Sequence, residues 1–336
     1  MAETGQRIAA IIPLYNGGRF IARALESILD QTLQPDEIVV VDDGSTDDGP
    51  VIVQRYTRAH PVQLLRRPNG GQSAARNFGV AHTGARHIAF LDQDDAWYPN
   101  HLEELIRPFE EGRQRELGWV YSDLDEVDSD GNMVVRSLLR MMPSAHPKRD
   151  VFTCLSSDMF VLPSASLIAR KAFEMVGGFD ENLQGYEDDD LFLRLFRAGY
   201  ENVFLDVPLT QWRIHTDSSS YSRRMSESRV IYFRKLLDNF PDEPQRRRYV
   251  ARDCLAPRFF PKLAADYLAA LREHENDGVR TTFRHLKFVS GLHRPRIRFI
   301  MTLALPFLRS PLVARAVVLP LLPLLRPLAR WALRLR

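Results

Sequence analysis

The chain of 336 residues contains only two cysteines, and the patterns of several other protein classes are missing from it. Cys154 and Cys254 lie far apart, in neither a metal-binding nor a redox spacing, so a disulfide framework is not expected. No long apolar leader precedes the strand-like residues 8–12, so we expect no secretion signal. Neither the glycine pattern of a dinucleotide-binding site nor that of a Walker loop occurs.

Acidic side chains are absent after Asp277, although the net charge of the whole chain is only +2. Residues 278–336 carry 12 Lys and Arg, which leaves 33 basic and 43 acidic side chains in residues 1–277. The body is therefore at −10 and the tail at +12. The tail is rich in Leu, Val and Pro and lacks interleaved aromatics that could stack on bases. We expect an anionic membrane surface as its partner, and no nucleic acid.

No apolar run in this tail reaches the roughly 20 residues that a membrane-spanning helix needs. The uncharged run 316–325 has only ten residues and contains Pro320 and Pro323. A wider window, 299–325, includes two arginines, each costing about 2.5–3.5 kcal/mol at the centre of a bilayer. The last part of the tail, from about residue 294 to 336, is therefore predicted to attach peripherally to the cytoplasmic face of the membrane. The alternative is a helical subdomain that packs its leucine face on the body or on a second subunit.

Strands and helices alternate through the first two hundred residues, which predicts a doubly wound α/β sheet with ligands at the carboxyl ends of its strands. An Asp130-Gly131 turn predicts a hairpin. Residues from about 225 onward are predicted to be mostly helical, so we divide the chain into domain 1–224 and C-terminal region 225–336. The predicted strands are 7–12, 37–41, 62–65 and 87–91, and the predicted helices are 18–31, 46–58, 72–81 and 100–111.

Three carboxylates follow the apolar strand at 87–91 within four positions, namely Asp92, Asp94 and Asp95. In an extended chain, Asp92 and Asp94 point to the same side. Mg²⁺ and Mn²⁺ prefer oxygen ligands and take one or two protein carboxylates, while substrate phosphates fill other positions. The segment is therefore a candidate metal site, and an ordinary acidic turn is an equally good interpretation of these residues alone.

A second acidic pair, Asp42-Asp43, ends a run of valines. Ser45 or Thr46 could cap the helix that follows, which would make the later part of this segment an ordinary turn. The two adjacent carboxylates, however, repel each other unless a base N–H or a ribose hydroxyl uses them. We therefore expect Asp42 and Asp43 to contact a nucleotide.

A third acidic cluster, residues 187–190, opens a helix that Gly199 is predicted to end. Asp190 shares a face with Arg194 and is predicted to point outward in a salt bridge. Asp188 lies in line with apolar residues and is predicted to point inward. An inward carboxylate either caps the helix or acts as a general base with a raised pKa, and both interpretations stay open.

Together these segments resemble the successive motifs of family 2 glycosyltransferases with the GT-A fold. The order and spacing match over about residues 7–220. The resemblance implies a GT-A (Rossmann-like) doubly wound mixed sheet followed by a helical C-terminal region. It also implies an inverting transfer of one sugar from a nucleotide diphosphate sugar to an acceptor hydroxyl, with Mn²⁺ or Mg²⁺. The segments that carry it are residues 11–16, 41–47, 73–77, 91–95, 177–181 and 187–194.

The resemblance assigns roles to individual residues. Asp188 matches the catalytic base, and Glu187 is its partner. Asp94 matches the main metal ligand of the DXD motif, with Asp92 near the ribose or the metal. His215 could ligate the metal or bind phosphate, and by itself it could equally be an ordinary loop histidine. The nucleotide-binding positions that the resemblance implies are Pro13, Tyr15, Asn16, Asp42, Asp43, Gln72, Asn77, Asp92, Gln93 and Arg213.

Polymerising synthases of this family resemble one another in a Gln-x-x-Arg-Trp motif, which Gln211-Trp212-Arg213 does not match. A single addition is therefore expected, onto a lipid-linked or cell-surface saccharide.

Two other classes of function stay open. A glycoside hydrolase also uses paired carboxylates, but it would leave Asp42-Asp43 unexplained. A catalytically silent nucleotide-sugar-binding or membrane-scaffold protein would have no need of a base beside a metal motif.

Overall fold

A computed structural model describes residues 8–142, 144–215 and 223–321 of the chain. The chain forms two compact units. The first comprises residues 1–151 and 159–228, and the second comprises residues 152–158 and 229–336. We keep the division at residue 224, drawn from the sequence, as a proposal.

The described residues alternate strands and helices up to about residue 213 and are mainly helical beyond it. The strands are β1 (Ile8–Leu14), β2 (Glu37–Asp42), β3 (Val62–Arg66), β4 (His87–Phe90), β5 (Ala96–Trp97), β6 (Leu117–Val127), β7 (Met133–Val135), β8 (Ser166–Ala169) and β9 (Glu201–Arg213). The helices are α1 (Ile21–Leu29), α2 (Gly49–Ala59), α3 (Gln72–Ala81), α4 (His101–Glu111), α5 (Leu138–Met141), α6 (Val151–Ser156), α7 (Arg170–Met175), α8 (Glu187–Arg197), α9 (Arg223–Asn239), α10 (Ala256–Arg272), α11 (Asn276–Leu292) and α12 (Pro295–Arg309).

Nine strands of the described residues form one mixed sheet, in the order β3-β2-β1-β4-β8-β6-β9-β5, with β7 paired to β6. β1 pairs in parallel with β2 and β4, β2 with β3, and β6 with β9. β8 is antiparallel to both β4 and β6. The mixed sheet and the helical C-terminal region confirm the predicted fold class.

The strands at the centre of the sheet have no polar face. Every residue of β1 is buried, as is every residue of β2 after Glu37. Their sequences, IAAIIPL and EIVVVD, lack alternation, as expected for parallel strands that are covered on both faces. α1 covers one face with Ile21, Leu25 and Ile28, which lie on one side of the helix.

The eight strands and helices predicted before residue 112 are all present, and their ends shift by a few residues. α2 begins at Gly49 and not at Thr46. Asp47 accepts the N–H of Gly18 at 2.7 Å and that of Gly49 at 3.0 Å, which keeps the turn before the helix open. The predicted hairpin at Gly131 is confirmed, since β6 and β7 pair antiparallel on either side of it.

The strand order places the carboxyl end of β1 at a topological switch point. β2 and β3 extend the sheet on one side of β1, whereas β4 pairs on its other side. The loops that follow β1, β2 and β4 therefore emerge at the same edge, where open α/β sheets bind ligands. Tyr15, Asp43 and Asp92 lie in these three loops.

The second unit consists mainly of helices, as predicted for the chain beyond residue 225. The buried ring of Phe259 contacts the rings of Tyr232 and Phe233, with centroids 6.1 and 5.3 Å away. Arg258 forms a buried ion pair with Asp158 at 3.0 Å. Within residues 8–142, 144–215 and 223–321, no helix has both the length and the hydropathy that crossing a bilayer requires.

Candidate active site

Hydrogen bonds join the loops that follow β1, β2 and β4. The side-chain amide of Gln93 accepts the N–H of Tyr15 at 2.8 Å and donates to the carbonyl of Tyr15 at 3.1 Å. The backbone N–H of Asn16 donates to Ser45 Oγ at 3.1 Å, and the side-chain oxygen of Asn16 accepts the N–H of Thr46 at 2.8 Å. Asn16 has φ +50°, a left-handed conformation that asparagine tolerates. Tyr15, Asn16 and Gln93, which the sequence assigns to the nucleotide, thus lie together at one edge of the sheet.

The adjacent carboxylates of Asp42 and Asp43 are buried, and the protein supplies donors to both. Asp43 accepts the N–H of Gly70 at 3.1 Å and that of Gly71 at 2.7 Å, and Asp42 accepts a backbone N–H of the following turn at 2.8 Å. Burial raises the pKa of Asp43, whereas these glycine amides and the Arg67 guanidinium lower it. The protein itself thus supplies part of what stabilises the pair, and repulsion from Asp42 still contributes to the raised pKa of Asp43. The contact of the pair with a nucleotide stays a prediction.

Two side chains of α3 hold Asp92. Asp92 Oδ1 accepts hydrogen bonds from Arg76 Nη2 at 2.5 Å and from Gln72 Nε2 at 2.8 Å. Gln72 and Arg76 are one helical turn apart, so both reach the loop after β4. The backbone N–H of Asp92 also donates to Ser164 Oγ at 3.0 Å. The first carboxylate of the 92–94 motif is thus fixed by the protein.

The second carboxylate of the motif, Asp94, lies against His215. His215 Nε2 and Asp94 Oδ2 are 2.8 Å apart. Burial, and then repulsion from Asp92, raises the pKa of Asp94, whereas the hydrogen bond with His215 lowers it. Of the three residues assigned to the metal, the structure thus brings Asp94 and His215 into contact. The third, Asp92, precedes Asp94 by two positions in the same loop.

Asp94 and His215 are the candidate ligands of a divalent cation at this edge of the sheet. Among the residues that the structure describes, no group of three or more His, Cys, Asp or Glu side chains is arranged as a metal cage. Asp94 and His215 nevertheless offer a carboxylate oxygen and an imidazole nitrogen within 2.8 Å of each other. Cations at phosphate-binding sites take one or two protein carboxylates and fill other positions with phosphate oxygens and water. The donors present fit a cation that binds together with a diphosphate.

Arg213 is buried and holds the backbone around the motif. Its N–H donates to Asp95 Oδ1 and its Nε to the carbonyl of Asp94, both at 2.9 Å. Its Nη1 atom donates to the carbonyls of Asp128 and Ser129 at 2.9 and 3.1 Å. Burial, with repulsion from Asp94, raises the pKa of Asp95 well above its ordinary value. The assignment of Arg213 to the nucleotide stays a prediction, because these contacts are made within the protein.

Arg76 also links the Asp92 loop to the start of α8. Its Nη1 atom donates to Glu187 Oε1 at 3.3 Å, while Nη2 donates to Asp92. Only 2% of the Arg76 side chain is exposed. The bridge places the Glu187-Asp188 pair next to the 92–94 motif and not on the far side of the molecule.

Asp188 has the properties of a proton acceptor. It is half-buried, and its Oδ1 accepts the N–H of Asp189 at 2.7 Å. Burial, followed by repulsion from Glu187 and Asp189, raises the pKa of Asp188 to about 8, although Arg76 lowers it. Tyr186 is the N-cap of α8, so Asp188 is not the N-cap residue, although its carboxylate accepts an N–H of the first turn. The role of Asp188 as a general base stays a prediction.

Asp190 forms the predicted ion pair with Arg194, at 2.7 Å, but its predicted outward orientation is wrong. Asp190 is buried. Arg194 also donates to the carbonyls of Val176 at 2.6 Å and Gly178 at 2.7 Å, so residues 176–178 help to cover the pair.

Pro13 and Asn77 lie within the scaffold. Pro13 is buried in β1, opposite Val41 of β2. The side chain of Asn77 donates to the carbonyl of Phe179 at 2.9 Å and to Glu181 at 3.0 Å, and it accepts the N–H of Phe179 at 2.9 Å. These contacts hold the loop before α8. The assignment of Pro13 and Asn77 to the nucleotide stays a prediction.

Arg76 was not among the predicted site residues, although it lies in segment 73–77, which carries part of the family resemblance. The signal was present in the spacing, because Arg76 follows Gln72 by four positions on a predicted helix and must share its face. The contact of Arg67 with Asp43, 3.5 Å between Nε and Oδ1, was also missed. It joins residues from different loops, and the spacing of those residues gives no such signal.

A family model and the fold identify the class of protein. The family model described as "Glycosyl transferase family 2" matches residues 9–177, half of the chain. The chain belongs to this family.

Curated relatives are similar over parts of their length. An uncharacterized glycosyltransferase of Rickettsia bellii is 28% identical over 222 residues, which are 63% of this chain and 30% of that protein. Chondroitin synthase of Escherichia coli is 29% identical over 193 residues, 57% of this chain and 27% of that enzyme. Hyaluronan synthase of Pasteurella multocida is 27% identical over 258 residues, 72% of this chain and 25% of that enzyme. The chain thus spans less than a third of the length of each of these three relatives.

Solved structures share the fold. The structure of TarS from S. aureus, residues 1–349 in complex with UDP-GlcNAc, superposes with a TM-score of 0.63 at 18% identity. The superposition covers 92% of this chain and 88% of the TarS chain. The mannosyltransferase PcManGT of Pyrobaculum calidifontis, in complex with GDP-Man and Mn²⁺, gives a TM-score of 0.57 at 20% identity, with coverages of 94% and 89%. These likenesses show a GT-A fold.

The Arg76 bridge predicts a large loss of stability when the guanidinium is removed. Arg76→Met would leave Asp92 and Glu187 close together without their shared cation, and breaking a buried ion pair costs about 3–5 kcal/mol. We expect a correspondingly lower midpoint of urea unfolding. Arg55→Met, on an exposed position of α2, should change the free energy of unfolding by less than about 0.5 kcal/mol.

The double variant Arg76→Met with Glu187→Gln removes one of the uncompensated carboxylates. It should recover part of the loss, because contacting residues are not additive. Strict additivity of the two single changes would contradict the proposed ionic coupling between Arg76 and Glu187.

Proposed function

We propose that this chain transfers one sugar from a nucleotide diphosphate sugar to an acceptor hydroxyl with inversion, using Asp188 as general base and a divalent cation at Asp94. The observation that carries the proposal is the Arg76 bridge, which brings the start of α8 to the Asp92 loop. Membership of family 2 and the GT-A fold support the class of reaction. A glycoside hydrolase has no support from either.

The donor would lie across the carboxyl ends of β1, β2 and β4. The exposed Tyr15 and the loop residues Asn16 and Gln93 are available to a nucleotide at this edge. Asp43 would act by shaping the loop at Gly70-Gly71, since its oxygens already accept those amides. Structural neighbours have been solved with UDP, with UDP-GlcNAc and with GDP-Man, which supports a nucleotide donor without choosing among nucleotides.

Asp94 and His215 would hold Mn²⁺ or Mg²⁺. When bound, the cation would neutralise the negative charge that develops on the diphosphate leaving group. Asp92, held by Arg76 and Gln72, would stay oriented beside Asp94.

Asp188 would take the proton of the acceptor hydroxyl as that oxygen attacks the anomeric carbon from the face opposite the diphosphate. A hydroxyl has a pKa far above 7, so a positioned base increases its nucleophilicity. Burial and the neighbouring carboxylates raise the pKa of Asp188 to about 8, which strengthens it as a base. Glu187 would hold the start of α8 against Arg76.

The acceptor substrate and the cellular location of the protein are proposed from the sequence alone. The absence of the polymerising motif favours a single addition. The basic tail favours a lipid-linked saccharide as acceptor, at the cytoplasmic face of an anionic membrane. A catalytically silent nucleotide-sugar-binding protein is the alternative, and turnover of a donor distinguishes the two.

The change Asp188→Asn tests the base. We expect unchanged donor binding and a loss of transfer by at least about 100-fold, the lower end for a positioned general base. Release of nucleotide from a panel of UDP, GDP and dTDP sugars with Mn²⁺ gives the rate, and calorimetry gives the affinity. The exposed Asp130→Asn, on the hairpin turn, is the matched control. Wild-type turnover by Asp188→Asn would remove this residue from the role.

The raised pKa of Asp188 predicts that transfer increases with pH. A carboxylate base acts when it is deprotonated, so kcat/KM should rise with pH, reach half its maximum near pH 8 and level off about one unit higher. A bound cation favours the ionised carboxylate, so the midpoint should lie at or below the value for the free protein. The rates are to be measured at saturating Mn²⁺. A rate that falls with pH over this range would show that a group must stay protonated, contrary to the assignment.

The change Asp94→Ala tests the cation site. Without this carboxylate, the gain in nucleotide affinity on adding Mn²⁺ should disappear, while the affinity in excess EDTA stays near that of the wild type. Titration calorimetry with the nucleotide, with and without Mn²⁺, measures both. A full Mn²⁺ effect in Asp94→Ala would place the cation elsewhere.

A further inference from the structure

α12 presents apolar side chains on two opposite sides. Met301 and Leu308 are buried, two turns apart on one side of the helix. Phe299, Leu303 and Phe307 follow one another at four-residue spacing on the other side and are 67, 60 and 53% exposed. A helix in water normally has one apolar stripe, facing the core. The second stripe of α12 has no covering among the described residues.

Exposed apolar side chains also occur beyond α12. Residues 311–321 are again helical, and Ala314 is buried while Leu312 is 76% exposed. The exposed stripe on α12 is the ordered one, and we call Phe299, Leu303 and Phe307 the tail face. Contiguous exposed apolar surface of this kind marks a site of interaction.

The tail face does not result from a loosely attached helix. Tyr267 of α10 donates its hydroxyl to the carbonyl of Leu308 at 2.8 Å. Arg315 Nε donates to the carbonyl of Leu271, also on α10, at 3.1 Å. α12 and the helical segment that follows it are therefore both fixed to the body of the second unit.

The charged side chains on α12 itself are all basic. Arg296, Arg298 and Arg309 are exposed on α12, and no acidic residue occurs after Asp277. Pairing this face with the same face of a second copy would bring arginines together without any carboxylate from residues 278–336. Anionic lipid headgroups offer both the opposite charge and an apolar layer beneath it.

We propose that the tail face lies in the interface of an anionic bilayer, with α12 parallel to the membrane plane. Phe299, Leu303 and Phe307 would reach below the headgroups, and the arginines would extend to the lipid phosphates. The inference deepens the membrane partner proposed above, naming the side chains that insert. It does not require the transfer reaction to be correct.

Flotation of the full-length protein on vesicles tests this assignment. The protein should bind vesicles containing phosphatidylglycerol and bind pure phosphatidylcholine much less. Phe299→Glu with Leu303→Glu should weaken binding by at least about 10-fold, since each change removes a large apolar side chain from the bilayer. Met175→Glu is the matched control, because Met175 lies at a helix end in the first unit and is 66% exposed. It should bind like the wild type.

Three results would overturn the proposal. Equal flotation of the double variant and the wild type would exclude the tail face as the inserting surface. A wild-type dimer that becomes a monomer in the double variant, by light scattering, would make the face a contact between copies. A large drop in the thermal midpoint of the double variant would show that other residues of the chain cover the face. Nucleotide release by the same variant in solution measures the reaction proposed for the first unit. A failure of the membrane proposal can therefore be distinguished from a failure of the proposed reaction.

Discussion

One buried guanidinium holds the candidate site together. Arg76 lies between Asp92 and Glu187, which come from a loop of the sheet and from the first turn of a helix far along the chain. Two carboxylates that share one guanidinium would repel each other without it, and the planar fork of arginine can donate to both at once. Lysine, as a point charge on a flexible stem, cannot make the same bridge.

The same burial that makes Arg76 necessary sets the electrostatics around it. Burial raises the pKa of Asp94, of Glu187 and, to about 8, of Asp188. Arg76 lowers the pKa of Glu187 and of Asp188 and offsets their burial only in part. In the proposed function, a divalent cation bound with a diphosphate would supply further positive charge at Asp94.

Much of the fold could be predicted because it depends on local pattern. Unbroken apolar runs such as EIVVVD indicate strands covered on both faces, and α3 begins and ends where its pattern does. The contacts within the site were harder to predict, because they join segments that are distant in the sequence. The repulsion of Asp42 and Asp43 suggested a ligand, but the amides of loop glycines already satisfy Asp43. Helical periodicity paired Asp190 with Arg194 correctly, yet it could not show that carbonyls of residues 176 and 178 cover the pair.

The central claim is that the Asp92-Asp94 loop and Asp188 serve one pocket for an activated sugar. A crystal structure with Mn²⁺ and the nucleotide sugar that most raises the thermal midpoint tests it most directly. The account predicts an anomalous manganese peak beside Asp94 and His215, with the anomeric carbon of the sugar facing the carboxylate of Asp188. A nucleotide bound away from the carboxyl ends of β1, β2 and β4, or a sugar that faces away from Asp188, would contradict it.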